Sequence, residues 1–149
     1  MKQSIRFLTL LVLVSVLTGC AGGPRLAGTW VMIENNGRNL EVPETPRPGD
    51  SVKKLGPGQF AFGELQADGG VRHGGGGDWY LEDGKYVEVV RFHWHEALQG
   101  ETIVFDCTVR DDLWIHRADF TANGRRFHID EIWRRVHAGR SYEERRERH

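Results

Sequence analysis

Residues Asp78-Trp79-Tyr80-Leu81-Glu82-Asp83-Gly84-Lys85-Tyr86-Val87-Glu88 contain two strand-like segments joined by a turn signal. An Asp-Gly pair between segments rich in aromatic and β-branched residues is typical of a tight β-hairpin, because its two central residues adopt positive φ. The second segment continues to His95 and is the longest strand candidate in the chain. This stretch predicts a fold built from antiparallel strands.

Similar segments recur on both sides of this hairpin, and no stretch before the C-terminal tail shows a helical period of 3.6 residues. The further strand candidates are residues 26–33, 59–66, 102–109, 113–120 and 126–136. Asn123-Gly124 is a second hairpin signal, and the Gly- and Pro-rich residues 35–58 are expected to form a long loop. Strands at intervals of about 8–12 residues indicate an all-β fold. We expect a small antiparallel up-and-down β-barrel of about eight strands, because closure leaves no edge strand unpaired.

The composition sets limits on the class of protein. A length of 149 residues fits one domain. The 20 basic and 21 acidic residues give a formal net charge of -1, so the basic excess of a nucleic-acid-binding protein is missing. With 39% hydrophobic residues, the chain is not of a disordered type. We therefore expect a single folded domain with no nucleic-acid partner.

The N-terminus has the pattern of an export signal. Lys2 and Arg6 precede an apolar run over residues 7–17, which is too short to cross a bilayer core. The run ends in Leu17-Thr18-Gly19-Cys20, which resembles the bacterial lipobox. The alternatives are a plain secretory peptide with an incidental cysteine and an uncleaved anchor.

The lipobox resemblance implies that residues 1–19 are removed as a signal peptide and that Cys20 becomes lipidated, with residues 20–25 as a tether. Lipoproteins of this type carry more than one acyl chain, which is enough for stable attachment to a membrane. The residue after the cysteine is Ala21 rather than Asp, which resembles the pattern sent to the outer membrane. The implied location is the bacterial cell envelope, lipid-anchored to the outer membrane and facing the periplasm.

The chain has two cysteines. With Cys20 assigned to lipid, no disulfide is expected in the mature chain. Cys107 lies in a strand-like run, and we expect it to be a small buried apolar residue.

Two short motifs near the ends of the strand region resemble the lipocalin-like (calycin) barrels. They are Leu26-Ala27-Gly28-Thr29-Trp30, which opens the first strand, and Trp133-Arg134-Arg135-Val136, which closes the last. The resemblance covers residues 26–136 and implies that Gly28, Trp30 and Arg135 close one end of the barrel, with the guanidinium stacked on the indole. The remaining residues, 137–149, form a charged C-terminal tail.

Strand parity predicts which side chains share the interior. Tyr86, Glu88, Val90, Phe92 and Trp94 lie on one face of their strand, and we expect that face to point inward. The opposite face carries Arg91, His93 and His95, which are costly to bury unpaired.

The last strand places Glu131 and Trp133 on a common face as well. A ligand site is mostly apolar with a few polar groups, so the candidate ligand-binding residues are Glu88, Phe92, Trp94, Glu131 and Trp133. The alternative is that these aromatics only fill the core and that arginines pair with the carboxylates.

Other site chemistries have weaker support in the sequence. His93 and His95 could chelate a metal only with a third ligand such as His116 or Asp106, and Arg91 on their face disfavours a cation. The sequence lacks the motifs of phosphate-binding loops, serine hydrolases and zinc proteases. We therefore expect no metal, no cofactor and no enzymatic activity.

These observations leave three functional hypotheses. The leading one is a lipid-anchored lipocalin-like protein that binds a small apolar or amphipathic ligand. The second is an envelope interaction or inhibitor module that uses a filled barrel as a scaffold. The third is a protein that handles a metal or haem. The sequence identifies no protein partner.

Overall fold

A computed structural model describes residues 23–137 of the chain. The proposed signal peptide, Cys20 and all of the charged tail beyond residue 137 lie outside the described residues. The described elements begin with a four-residue helix, α1, and a short 3-10 helix lies between β6 and β7. The bounds are α1 (Gly23–Leu26), β1 (Gly28–Asn35), β2 (Arg38–Asn39), β3 (Ser51–Leu55), β4 (Gln59–Leu65), β5 (Val71–Glu82), β6 (Lys85–His93), the 3-10 helix (Glu96–Leu98), β7 (Thr102–Arg110), β8 (Leu113–Ala122) and β9 (Arg125–Arg135). Neither of these two helices approaches the length and apolar character needed to cross a membrane.

The strands form one closed antiparallel barrel. Strands β3 to β8 each pair with the next strand in the chain, β1 pairs with β3, and β1 also pairs with β9. Eight strands therefore close the barrel, and the two-residue β2 pairs only with the end of β1. The expected fold class, a small all-β up-and-down barrel of about eight strands, is confirmed.

The two predicted hairpin turns have the expected backbone. Asp83 and Gly84 have φ angles of 48° and 74°, and Asn123 and Gly124 have 47° and 72°. Two consecutive residues with positive φ produce the tight turn whose twist matches that of the flanking strands. These turns fix the registers of the β5–β6 and β8–β9 pairs.

Residues 35–58 differ from the expected long loop, because they contain β3. This strand pairs with β1 on one side and β4 on the other, so the barrel could not close without it. It is only five residues long, follows a Pro-rich segment and carries both Lys53 and Lys54. Because the strand is short and contains two lysines, its sequence does not have the apolar pattern by which a core strand is recognised.

A β-bulge changes which side chains of β6 point inward. Tyr86, Glu88 and Val90 are buried inside the barrel, as expected. Val90 and Phe92 pair with consecutive glycines of β5, so Arg91 is the extra residue of a bulge. An extra residue inverts the alternation beyond it.

The expected inward orientation of Phe92 is therefore wrong. Its side chain is 55% exposed on the outer face, against Gly76. The imidazole of His93 instead points inward, where it packs on Phe62. Trp94 follows the end of β6 and is also 55% exposed.

One end of the barrel, the closed end, is where β1 begins, β9 ends and α1 lies. The structure brings Gly28, Trp30 and Arg135 together there. Trp30 is completely buried, and the guanidinium carbon of Arg135 lies 4.1 Å from the centre of the Trp30 ring. The indole N–H of Trp30 donates a hydrogen bond to the carbonyl of Leu26 at 2.8 Å, which ties α1 to the barrel. Gly28 has φ of +135°, and a Cβ there would lie 2.7 Å from Arg135 Nη1, so a side chain would displace the guanidinium.

We expect Trp30→Ala to lower the free energy of unfolding by about 3–5 kcal/mol, because it empties a completely buried site. Trp94→Ala removes the same side chain from a site that is 55% exposed, so its cost should stay below about 1 kcal/mol. Chemical denaturation of both variants measures the difference. Equal losses of stability would contradict the importance of the Trp30 contact.

Candidate functional site

The interior of the barrel has a packed half and an open half. At the closed end, buried apolar side chains such as Leu26, Leu55 and Trp79 fill the space between the strands. Toward the opposite end, which we call the open end, the barrel contains a cavity of about 270 Å³. This cavity is the candidate functional site.

The walls of the cavity are mostly apolar, and its mouth is partly covered. Buried Val90, Ile103 and Phe105 supply much of the wall. Leu98, on the 3-10 helix between β6 and β7, also reaches the cavity and is 6% exposed. The more exposed Trp94 lies at the mouth.

Hydrogen bonds hold the 3-10 helix in place across the mouth. His95 caps its start, because His95 Nδ1 accepts from the backbone N–H of Ala97 at 3.3 Å. The side-chain amide of Asn123, in the β8–β9 turn, donates to the carbonyl of Ala97 at 3.1 Å. These contacts join the β6–β7 connection to the β8–β9 turn at the mouth of the cavity and so limit the width of its opening.

A buried ion pair lies at the inner end of the cavity. Lys53 Nζ is 2.7 Å from Glu88 Oε1, and the side chains are 4% and 6% exposed. The hydroxyl of Tyr86 donates to the same carboxylate oxygen at 2.9 Å. Burial, followed by the charge of Glu88, raises the pKa of Tyr86 well above its usual value, so this hydroxyl keeps its proton.

The Lys53 ammonium is also surrounded by aromatic rings. Its nitrogen lies between 5.2 and 5.9 Å from the centres of five rings, those of Phe60, Phe62, Tyr86, Trp114 and Trp133. A cation within about 6 Å of a ring face is attracted by the ring quadrupole. The rings and Glu88 together compensate for the loss of water around the buried ammonium.

A second carboxylate, Glu131, lies beside this pair. Its Oε2 accepts hydrogen bonds from His116 Nε2 at 2.5 Å and from the indole N–H of Trp133 at 3.0 Å. Burial alone would raise the pKa of Glu131, but the hydrogen bond from His116, the Lys53 charge and the Trp133 hydrogen bond outweigh it and lower the pKa. Glu131 is therefore a carboxylate anion near neutral pH.

His116 is completely buried and stacks on Phe105, with ring centres 4.5 Å apart. Burial and the nearby Lys53 charge lower the pKa of His116, so the ring is neutral near pH 7. Its Nδ1 has no hydrogen-bond partner within residues 23–137. His116 Nε2 lies 2.5 Å from Glu131 Oε2 and 3.2 Å from the indole nitrogen of Trp133. The shorter contact, to the carboxylate, assigns the proton to Nε2, which donates to Glu131.

The structure brings four of the five candidate ligand-binding residues to the same cavity. Glu88, Trp94, Glu131 and Trp133 line it, whereas Phe92 lies on the outer face. Sequence analysis missed Lys53, because its strand lay in the expected loop. The alternation in residues 51–55 was the available signal, since it places Lys53 on the same face as the apolar Leu55.

The two histidines considered as metal ligands do not converge. His93 faces the cavity, and its Nδ1 accepts from the backbone N–H of His95 at 2.9 Å. His95 instead caps the 3-10 helix. In the part of the chain that the structure describes, no group of three or more His, Cys, Asp or Glu side chains is placed to hold a metal ion.

No protein-family model matches the chain, and no curated protein matches it. The resemblance of the Gly28-Thr29-Trp30 motif and the closing Arg135 to lipocalin-like domains stays a prediction.

Cys107 differs from its expected state. It is buried on β7, 7% exposed, as expected for a residue of that strand. It is also disulfide-bonded in the structure, which the sequence analysis did not anticipate. The other cysteine of the chain is Cys20, which lies before the described residues.

Breaking the buried ion pair from one side should be costly. We expect Lys53→Met to lower the free energy of unfolding by about 3–5 kcal/mol, because it leaves the Glu88 carboxylate without its cation. The double variant Lys53→Met/Glu88→Leu should lose less, because it removes both charges. Denaturant titration of each variant makes the comparison.

Lys54→Met is the matched control for this series, because Lys54 is the exposed neighbour on the same strand. Its change should stay within about 0.5 kcal/mol. If Lys53→Met were tolerated as well as Lys54→Met, the ion pair would not be a stabilising contact.

Proposed function

We propose that this chain is a lipid-anchored protein of the bacterial cell envelope whose barrel binds one small amphipathic molecule in its open half. The observation that carries the proposal is the cavity of about 270 Å³, which has apolar walls and charged groups at its inner end. Binding sites for small molecules commonly combine an apolar lining with a few polar groups that orient the ligand.

The size of the cavity supports a small ligand. Small-molecule sites typically occupy about 300–1,000 Å³, and an eight-stranded barrel has room for its own side chains or for one small ligand. In this barrel the aromatic core occupies the closed half, which leaves only the open half for a ligand. A filled barrel acting as a scaffold would need no such space.

The position of the proposed anchor supports access from the aqueous side. Two residues, Ala21 and Gly22, separate Cys20 from α1 in the sequence, and α1 lies at the closed end. Strand β1 then runs eight residues from Gly28 to Asn35, at the open end, a span of about 25 Å. A lipidated chain would therefore hold the mouth of the cavity away from its own membrane.

Ligand binding is tested with the small dye 1-naphthylamine, whose fluorescence emission shifts to the blue in an apolar site. We expect the protein to bind the dye and octanol to displace it. Trp94→Ala should weaken dye binding about three- to tenfold, because it removes an aromatic contact at the mouth.

Phe92→Ala is the matched control for the dye experiment. Phe92 is also 55% exposed, but it lies on the outer face, so its removal should leave dye affinity unchanged. No dye binding, or an equal loss in both variants, would contradict a ligand site in the open half.

Lipidation at Cys20 and the disulfide at Cys107 exclude each other within one molecule, if Cys20 is the disulfide partner. A thioether to lipid uses the sulfur that a disulfide would need.

We expect the native protein to remain with the membrane fraction through a high-salt wash, and we expect Cys20→Ser to lose that attachment. Cys107→Ser is the control variant and should remain membrane-bound.

Alkylation of the unfolded protein separates the two states. A lipidated Cys20 leaves the Cys107 thiol reactive without a reducing agent. A wild-type protein whose Cys107 reacts only after reduction, together with an unmodified Cys20 in the intact mass, would contradict the lipid anchor. The dye experiment is independent of this result.

A further inference from the structure

The charged side chains at the inner end of the cavity do not balance. Lys53 carries one positive charge, and Glu88 and Glu131 carry two negative charges. Of the described residues that line the cavity, Lys53 is the one lysine or arginine. The inner end therefore has an excess of one negative charge, as long as His116 is neutral.

The geometry of His116 supports its neutral form. The ring is completely buried, and its Nε2 already donates to Glu131. A second proton would occupy Nδ1, which has no acceptor among the described residues. A buried donor without an acceptor is destabilising, so the extra negative charge persists.

Each carboxylate also has an oxygen without a donor. Glu88 uses Oε1 for both Lys53 and Tyr86, and Glu131 uses Oε2 for both His116 and Trp133. Glu88 Oε2 and Glu131 Oε1 receive no hydrogen bond from the part of the chain described. Both residues line the cavity, so a ligand group at its inner end can reach them.

We infer that the cavity selects an amphipathic amine, a molecule with a cationic N–H head and a short apolar body, with the head accepted by the carboxylates of Glu88 and Glu131. The inference rests on the proposed function and specifies the chemistry of its ligand. A cationic head supplies the missing positive charge and the missing donors together, and buried charges are stable when they are paired in this way.

An anionic head fits the same place poorly. The Lys53 ammonium is already bonded to Glu88 and enclosed by five rings. A carboxylate ligand would instead lie beside two carboxylates, and the one lysine or arginine among the described lining residues, Lys53, is already paired with Glu88. The site therefore discriminates by charge as well as by size.

The cavity volume sets the size of the probe. At about 30 Å³ for each small group, which is the share of one water in the liquid, a cavity of about 270 Å³ holds a head group and roughly eight carbons. Octylamine, octanol and octanoate share one apolar body and differ in the charge of the head. They form a matched series for this cavity.

The experiment measures the affinity of the wild-type protein for these three molecules by calorimetry and by displacement of the naphthylamine dye at pH 7. We expect octylamine to bind at least about tenfold more tightly than octanoate, with octanol between them. Octanoate binding as tightly as octylamine would overturn the inference and leave the proposed function standing. If none of the three molecules nor the dye binds, the proposed function itself fails.

Glu131→Gln tests the contact directly, because it keeps the size and an acceptor oxygen but removes the charge. We expect it to weaken octylamine binding about tenfold and to change octanol binding less than about twofold. Glu96→Gln is the control, since Glu96 is an exposed carboxylate at the same end of the barrel.

If Glu131→Gln and Glu96→Gln lost octylamine affinity equally, general attraction by negative charge on the protein surface would explain the binding, and the inference would be wrong. The ranking of the three ligands on the wild-type protein decides the question if Glu131→Gln fails to fold.

Discussion

The buried Lys53–Glu88 ion pair is the constraint on which the interior of this barrel depends. A charge inside a protein is stable only when it is paired and hydrogen-bonded. Here the pairing joins β3 to β6 across the barrel, and the Tyr86 hydroxyl and five aromatic rings complete the surroundings of the two charges. Those rings occupy the middle of the barrel, so the remaining space lies toward the open end.

The closed end explains why the ion pair can stay in place. Strand β9 returns to pair with β1, and that pairing sets Trp30 opposite Arg135. The Arg135 guanidinium covers the indole and bonds to the carbonyl of Ala27 at 2.8 Å, which shields the aromatic core from water at that end. Both side chains of the ion pair line the cavity, which lies toward the other end. The same arrangement that closes one end of the barrel thus leaves the cavity at the other end.

The sequence predicted the features that depend on local chemistry, and it failed where one residue changed the register. Asp83-Gly84 and Asn123-Gly124 specify their turns through positive φ, and the alternation of Tyr86, Glu88 and Val90 follows from strand geometry. The bulge at Arg91 depends on how β6 fits the glycines of β5, which no local pattern encodes. It moved Phe92 to the outside and brought His93 inward. Lys53 was missed because a buried lysine makes a core strand resemble a polar loop.

The contrast between the two halves of the barrel bears on function. The closed half shows that this chain can fill its interior with aromatic and aliphatic side chains. Replacing buried ion pairs by apolar residues of similar volume is often neutral or stabilising, so stability alone does not explain a lysine, two carboxylates and a histidine beside a cavity. Protein donors bond to one oxygen of each carboxylate, and the other oxygen receives no hydrogen bond from the described residues, although both side chains line the cavity. These acceptors support the proposed site for a cationic head, because a core that serves only to support the fold does not need them in that position.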